Sequence, residues 1–436
     1  MSQPHDPQRP PVGDDDGTMT SRGDADAATT ALDDRIQRVR QQVEPPTFGL
    51  LGKAGAGKSS IVRLLTGLDE VDDQADLSEN VGLGPSTGTG GAGAEAHTKI
   101  RIGDGFRPCT RLAAQYDFPD AAGPVMRFLD TRGLGEIGYD PTADLIDFAD
   151  RSHLIIAVVR VGDQAVDDVL AALTTLRRND TGRQTDTAGS RPVLLVLTWL
   201  HEVCRDQTAI AWSDEPWPSV SGGEEVAELR RAVERQYERF RPHCQAATLV
   251  DLTPLEWGLP DPEFGAADLR RKLLELLPDA QRRVAGVTIE ETSDRSTGLD
   301  HVRILSYATA AATAAAVPLP WVEVPVVAGL QWRMTDDIAG LHGQTLDRTA
   351  TARMSGLIGT RAAIVMGIRS LLKGVPILGS AINATAAFAT TYAAGAAADY
   401  YFRTRAERRD DGPDQDAVAA VYREQLQRAM TLWQSH

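Results

Sequence analysis

Cysteine is scarce in this chain: only Cys109, Cys204 and Cys244 occur among its 436 residues. Their spacing matches neither a metal-binding motif nor a disulfide framework. Disulfide-rich scaffolds belong to oxidising compartments. The scarcity of cysteine therefore indicates a reducing, cytoplasmic location.

Positive charge is also in deficit, with 45 lysine and arginine residues against 61 aspartate and glutamate residues and a formal net charge of −16. This balance argues against a protein that holds nucleic acid through a broad basic surface. The N-terminal residues lack the apolar segment that a secretory signal requires. Residues 1–30 are instead predicted to form a disordered acidic arm.

Hydrophobic residues make up 42% of the chain, which is enough for a sizeable core, and the length predicts two or three domains. Between residues 31 and 285, short apolar runs alternate with helical patterns. The predicted strands are 47–51, 113–118, 125–130, 153–161, 192–200 and 247–253; the predicted helices are 58–67, 164–178, 224–240 and 265–284. This alternation predicts an α/β fold with a doubly wound, mostly parallel sheet. Two insertions, near 69–98 and 203–223, interrupt it.

The composition changes towards the C-terminus, where residues 286–436 are predicted to form an all-α domain rich in alanine and glycine. Ile304–Val322 and Gly374–Ala398 carry no charged residue over 19 and 25 positions. Small residues at this density favour close contact between helices, in lipid or in a soluble bundle. One more amphipathic helix is predicted at about 414–433.

The second uncharged stretch raises the question of a membrane. As a helix, it would reach about 37 Å, but ten of its 25 residues are alanine and three are glycine, so insertion is marginal. Arginines flank the stretch and are suited to anionic headgroups. The sequence leaves two alternatives open: a soluble or peripheral bundle, or a domain inserted at the inner face of the membrane. Self-association through these helices is also left open.

A glycine-rich loop lies between the first predicted strand and the first predicted helix, and it fits G-x-x-x-x-G-K-[ST] at every position. Its glycines let backbone N–H groups surround a phosphate, and the helix N-terminus adds favourable partial charge. Lys58 reaches the β- and γ-phosphate oxygens, and Ser59 offers a hydroxyl to Mg²⁺. The predicted nucleotide contacts are Gly52, Lys53, Ala54, Gly55, Ala56, Gly57, Lys58, Ser59 and Ser60. The same loop serves ATP and GTP, so it does not identify the base.

Two further features accompany this loop. The box DTRG, Asp130 to Gly133, directly follows an apolar run. Thr110 precedes the second predicted strand, and Thr98 is the alternative to it. From about residue 46 to 284, the loop GKAGAGKS, the box DTRG and the strand pattern together resemble P-loop GTPases of the Ras/Era-like class, nearest to bacterial Era/TrmE-like GTPases.

The resemblance implies a switch that binds GTP or GDP together with Mg²⁺. It implies that Ser59, Thr110 and Asp130 organise the Mg²⁺ shell and that the Gly133 amide meets the γ-phosphate. Arg132 is a candidate charge donor to the transition state; the alternative is an ordinary salt bridge on the switch surface.

The chain departs from this family at the guanine-reading box. The family motif Asn-Lys-x-Asp is replaced by Thr198-Trp199-Leu200-His201, so His201 stands where a carboxylate reads guanine, and Glu202 takes that place if the register slips by one. Thr198 is expected to act as a structural hydroxyl. The order of the strands brings three residues towards the base in place of the last family motif: Asp251, Leu252 and Thr253.

Leu134 follows Gly133, where Ras-type enzymes carry a water-orienting glutamine. Leucine cannot hold a water by hydrogen bonding, so hydrolysis is predicted to be slow or completed by a partner. The C-terminal region is similar to alanine- and glycine-rich, VPLP-containing modules of unknown function that follow some bacterial GTPase domains. The predicted function is a GTPase switch that acts on this bundle. The alternatives are a nucleotide-binding scaffold with little turnover and an ATP-using P-loop enzyme.

Overall fold

The computed structural model describes residues 44–67, 114–119, 123–130, 142–182, 191–205, 215–292, 299–316, 323–345, 378–408 and 413–436. Within them, six strands form one sheet in the order β2-β3-β1-β4-β5-β6. The strands are β1 Thr47–Leu51, β2 Ala114–Phe118, β3 Met126–Asp130, β4 Leu154–Arg160, β5 Val193–Thr198 and β6 Ala246–Leu249. All neighbouring pairs are parallel except β2 and β3, which run antiparallel.

Both faces of the sheet are covered, as the continuous apolar runs of the central strands require. In β4, Leu154, Ile156 and Val158 point to one face, where helices α1 (Lys58–Thr66), α5 (Ala266–Leu276) and α6 (Asp279–Thr292) pack. The alternate residues of β4 point to the other face, beneath α2 (Thr142–Arg151), α3 (Asp167–Gly182) and α4 (Ala227–Phe240). The predicted doubly wound, mostly parallel α/β fold is confirmed.

The described residues beyond α6 form four further helices: α7 (Leu299–Ala316), α8 (Glu323–Leu341), α9 (Leu378–Arg408) and α10 (Gln415–Ser435). Helix α9 contacts the other three. Asp414 caps α10, because its Oδ1 accepts a hydrogen bond of 2.7 Å from the Ala417 amide. The predicted all-α C-terminal domain is thus confirmed. No helix in the described ranges combines the length and hydropathy of a membrane span.

The strand predictions match the structure within a few residues at each end. The single helix predicted at 265–284 is wrong: it divides into α5 and α6 at Leu277, which is extended (ψ 146°). The cause is Pro278, because a residue before proline avoids the α conformation. Helix α2 was not predicted, although Leu145, Phe148 and Ala149 have helical spacing and are buried beneath the sheet.

The predicted domain boundary at 285/286 falls inside α6, and one apolar core continues from the sheet through α6 into the bundle. The hydroxyl of Thr292, at the end of α6, donates to the carbonyl of Thr288 one turn earlier (2.8 Å) and lies 3.2 Å from the carbonyl of Leu65 in α1. The predicted acidic arm (1–30) and the first insertion (69–98) lie outside the described residues. Of the second insertion, residues 215–223 are described and form neither helix nor strand.

Candidate functional site

The glycine-rich loop joins the buried strand β1 to α1 with the backbone that its glycines permit. Gly57 precedes α1 with φ 98°, a conformation that other residues rarely adopt. A Cβ atom on Gly52 would lie 2.4 Å from the Val158 carbonyl oxygen of β4. The loop therefore rests directly on the sheet and presents its amides at the start of a helix, which is the arrangement of a phosphate site.

Lys58, the first residue of α1, turns its side chain back across the loop. Its Nζ donates hydrogen bonds to the carbonyls of Gly52 (2.9 Å) and Lys53 (3.2 Å). The side chain is nearly buried, at 9% exposure. The ammonium is thereby held over the concave side of the loop, where a phosphate would replace weak carbonyl contacts with charged ones.

Asp130 ends β3 beside that ammonium, with its Oδ1 atom 3.7 Å from Lys58 Nζ. Oδ1 is buried and makes no hydrogen bond in the described part of the chain. Burial raises the pKa of Asp130, and the nearby Lys58 charge opposes this shift only in part. A buried carboxylate oxygen without a hydrogen bond is a suitable ligand for a hard cation or its water shell.

The residues present therefore fit Mg²⁺. Ser59, half-buried in the first turn of α1, and Asp130 at the end of β3 supply the oxygen atoms that would hold it. Ser60 lies next to Ser59 in the same turn and is also half-buried. Five of the predicted switch residues lie outside the described ranges, so their placement stays a prediction: Thr98, Thr110, Arg132, Gly133 and Leu134.

Thr198, the last residue of β5, lies where the sequence predicted a structural hydroxyl. Its Oγ1 donates to the carbonyl of Ala56 in the loop (2.8 Å) and lies 3.3 Å from that of Val159. The segment that was predicted to read the base is thus attached directly to the phosphate loop.

Arg160 and Trp199 make a second attachment, which the sequence analysis did not predict. Trp199 adopts φ 59°, and the Arg160 guanidinium lies 3.9 Å from the centre of its ring. Nε and Nη2 of Arg160 both donate to the Gly55 carbonyl, at 3.0 and 2.9 Å. The only sequence signal was a charged residue at the end of an otherwise apolar strand. The charge is neutralised in part by Glu202, whose Oε1 lies 3.8 Å from Nη1.

His201 and Thr253, two of the predicted base contacts, lie together beyond the ends of β5 and β6. Asp251 Oδ2 accepts from the His201 backbone amide (2.9 Å) and lies 2.8 Å from His201 Nδ1. Asp251 Oδ1 accepts from the Thr253 amide at 3.2 Å, and Thr253 Oγ1 lies 3.4 Å from His201 Nδ1. The buried Asp251 carboxylate, 1% exposed, therefore joins the segments that follow β5 and β6.

A cavity of about 430 Å³ opens beside the loop. Its lining includes Lys53 and Ala54 of the loop, Arg160 at the end of β4, Asp163 and Glu202. Lys53 Nζ lies 3.2 Å from Asp163 Oδ2, so the side chain of Lys53 is held at the edge of this cavity, while its carbonyl serves Lys58.

No family model and no curated protein matches this chain. Among solved structures, a bacterial selenocysteine-specific elongation factor is 15% identical, with a TM-score of 0.27. The match covers 53% of this chain and only 28% of the elongation factor.

Toc33 from Arabidopsis thaliana is similar in two structures. A dimerization-deficient mutant is 19% identical over 58% of this chain and 92% of that chain, with a TM-score of 0.26. A complex with Mg²⁺ and GMPPNP is 18% identical over 59% and 92%, with a TM-score of 0.25. Similarities this weak carry no conclusion about function, so the assignment of the site rests on the geometry of the loop and of Lys58, Asp130 and Thr198.

Proposed function

We propose that the chain is a GTP-binding, Mg²⁺-dependent GTPase switch, with slow or partner-activated hydrolysis, that passes its nucleotide state to the C-terminal helices. One observation carries the proposal. Lys58 is folded over a complete phosphate loop, and an unbonded Asp130 oxygen lies 3.7 Å from its ammonium. A merely structural loop would not require a buried cation beside a carboxylate with a buried, unbonded oxygen, because such burial is costly.

Each group has a distinct part in this mechanism. The loop amides and Lys58 bind the β- and γ-phosphates, and Lys58 exchanges its two carbonyl contacts for phosphate oxygens. Asp130 and Ser59 hold the Mg²⁺ shell. Mg²⁺, when bound, neutralises the charge that develops on the transferred phosphoryl group. The DTRG box and the apolar Leu134 support assignment to the Era-like class with slow intrinsic turnover.

The path from the nucleotide to the bundle starts at α1, the helix that the phosphate loop begins. Its carbonyl at Leu65 lies 3.2 Å from the Thr292 hydroxyl of α6, and α6 packs on α7 and α10. A shift of α1 on nucleotide binding would therefore be transmitted to α6 by this contact and by core packing. This continuity supports the proposal that the bundle responds to the nucleotide.

Lys58→Ala tests the phosphate site. Fluorescent GTP binding with Mg²⁺ is expected to weaken about 10- to 100-fold or more, because charged hydrogen bonds to the phosphates are lost. Arg63→Ala is the matched control, since it removes one positive charge from the same helix outside the loop. Steady-state phosphate release from the wild-type chain measures turnover. Unchanged affinity in Lys58→Ala would refute the phosphate site.

A further inference from the structure

His201 stands at the position of the guanine-reading box where the family motif has its carboxylate, so an imidazole replaces the group that reads guanine. We propose that His201, in the tautomer with its proton on Nδ1, reads the base through Nε2 as a single hydrogen-bond acceptor. The site would then accept purines with a 6-oxo group and N1–H, guanine and hypoxanthine alike, and reject adenine. This inference rests on the proposed function and names the class of base at the same site.

The first step is the protonation of the ring. Asp251 Oδ2 lies 2.8 Å from His201 Nδ1 and also accepts the His201 amide at 2.9 Å. A carboxylate oxygen that already accepts one hydrogen bond can be approached this closely only by a second donor. Nδ1 therefore carries a proton, and in the tautomer that this contact selects Nε2 carries the lone pair.

The second step is the position of the ring. Thr198, three residues earlier, is bonded to the loop carbonyl of Ala56. The turn between them is held by the left-handed Trp199 and its contact with Arg160. Nδ1 faces Asp251, so Nε2 points away from that carboxylate, and it has no hydrogen bond within the ranges that the structure describes. His201 is 8% exposed, so its ring is held in place rather than free in solvent.

The third step is the pattern of donors on the bases. Guanine and hypoxanthine both present a donor at N1, and guanine adds a second donor at its 2-amino group. A carboxylate has two oxygens and can accept from both, whereas Nε2 has one lone pair and can accept from one. Adenine presents an acceptor at N1, which would face the lone pair of Nε2. The imidazole therefore selects the 6-oxopurine class without requiring the 2-amino group.

The test measures displacement of fluorescent GTP from the full chain, with Mg²⁺, by GTP, ITP and ATP. We expect ITP to bind within about threefold of GTP and ATP to bind about tenfold or more weakly, since a mismatched polar contact is costly. In His201→Asp, which restores two acceptor oxygens, GTP should gain about tenfold or more over ITP, because hydrogen bonds to a charged group are stronger.

His243→Asp is the matched control and should leave the GTP-to-ITP ratio unchanged. His243 lies at the other end of β5 and β6 from His201, next to Gln245, whose backbone amide donates to the carbonyl of Val193 at the start of β5. Preference of the wild type for GTP over ITP by tenfold or more, or equal binding of ATP and GTP, would overturn the inference while leaving the proposed phosphate site intact.

Glu202→Gln separates the remaining alternative. If that substitution removes a wild-type preference for GTP over ITP, the base is read by Glu202 and the role of His201 is refuted. The wild-type ratios decide the matter even where His201→Asp fails to fold. Absence of binding by all three nucleotides would overturn the proposed function and this inference together.

Discussion

Asp130 illustrates how a residue can be unfavourable for the fold and useful for the site. Its Oδ1 atom is buried and makes no hydrogen bond in the described part of the chain, and burial raises its pKa. A raised pKa in an acid means that the ionised form is less favourable in the folded chain than in the unfolded chain. At neutral pH the nucleotide-free protein therefore carries a cost that a bound cation would remove.

Asp130→Asn should stabilise the nucleotide-free chain at pH 7, by about 1 kcal/mol, and abolish Mg²⁺-dependent tightening of GTP binding. Lys58 keeps its two carbonyl contacts in this variant. The gain should shrink as the pH falls through the folded pKa towards the ordinary value of 3.8, because Asp130 itself is then protonated. Urea unfolding at several pH values measures the effect.

Asp147→Asn, at an exposed position on α2, is the control for loss of one negative charge and should change stability by less than about 0.5 kcal/mol. Lower stability of Asp130→Asn at pH 7, together with preserved Mg²⁺ dependence, would show that Asp130 is a structural ion-pair partner of Lys58 and nothing more.

Contiguous motifs could be predicted residue by residue, and distant contacts could not. Lys58 and Asp130 were predicted because each belongs to a motif of consecutive residues, and Thr198 was predicted from the order of the strands. Arg160 bonds Gly55, which lies 105 residues away in the sequence. Its partner Trp199 acts through a left-handed backbone and a face-on contact. Neither property has a signature in one sequence, because both depend on how β4 and β5 lie beside the loop.

At the scale of elements, the alanine-rich helix α9 owes its central place to small side chains. Ala389, Ala393 and Ala397 are completely buried. A Cβ atom on Gly395 would lie 2.7 Å from Ile304 Cγ2 of α7 and 2.9 Å from Met334 Sδ of α8. From the alanine- and glycine-rich composition alone, membrane insertion and a soluble bundle were both open. In the structure, the same small side chains allow three helices to pack closely.

Gly395→Ala should destabilise the protein by about 1–3 kcal/mol, because the added methyl overpacks this contact. Helix propensity alone predicts the opposite sign, since alanine is favoured over glycine in a helix by about 1 kcal/mol. Gly340→Ala, in α8, is the matched control: nothing lies within 4 Å of its Cβ position, so it should stabilise by about 0.5–1 kcal/mol. Urea midpoints compare the two. Equal stabilisation by both substitutions would contradict the packing of α9.

Element types could be predicted more securely than element ends. Short apolar runs identified every strand of the described sheet, whereas a helical pattern could not show that α5 stops at Leu277. There the backbone clash imposed by Pro278 prevails over the apolar spacing of α6. β6 is likewise shorter than the predicted strand: it ends at Leu249, and Asp251 beyond it accepts the His201 amide and bridges Phe264.

At the scale of the whole molecule, a buried carboxylate lies at the junction between the sheet domain and the bundle. Glu291, 5% exposed in α6, accepts hydrogen bonds from Arg428 of α10 (2.9 Å) and from the Tyr392 hydroxyl of α9 (3.1 Å). It also contacts the ring of His301 in α7. The hydroxyl of the next residue, Thr292, lies 3.2 Å from the Leu65 carbonyl of α1. Two neighbouring side chains of α6 therefore contact three bundle helices and the helix that follows the phosphate loop.

Glu291→Gln should lower the free energy of unfolding at pH 7 by about 1–3 kcal/mol, because charged hydrogen bonds become neutral ones. Burial alone would raise the pKa of Glu291, but His301, Arg428 and Tyr392 together lower it below its ordinary value of 4.5. Its stabilising contribution is therefore full above that value and is lost as the pH falls through the lower folded pKa. The difference between wild type and Glu291→Gln, measured by urea unfolding, should vanish in the same pH range.

The neighbour Glu290 is exposed and pairs with His436, so Glu290→Gln should show little of this difference at any pH. A difference that persists below that range would mean that the shape of Glu291, rather than its charge, holds the junction.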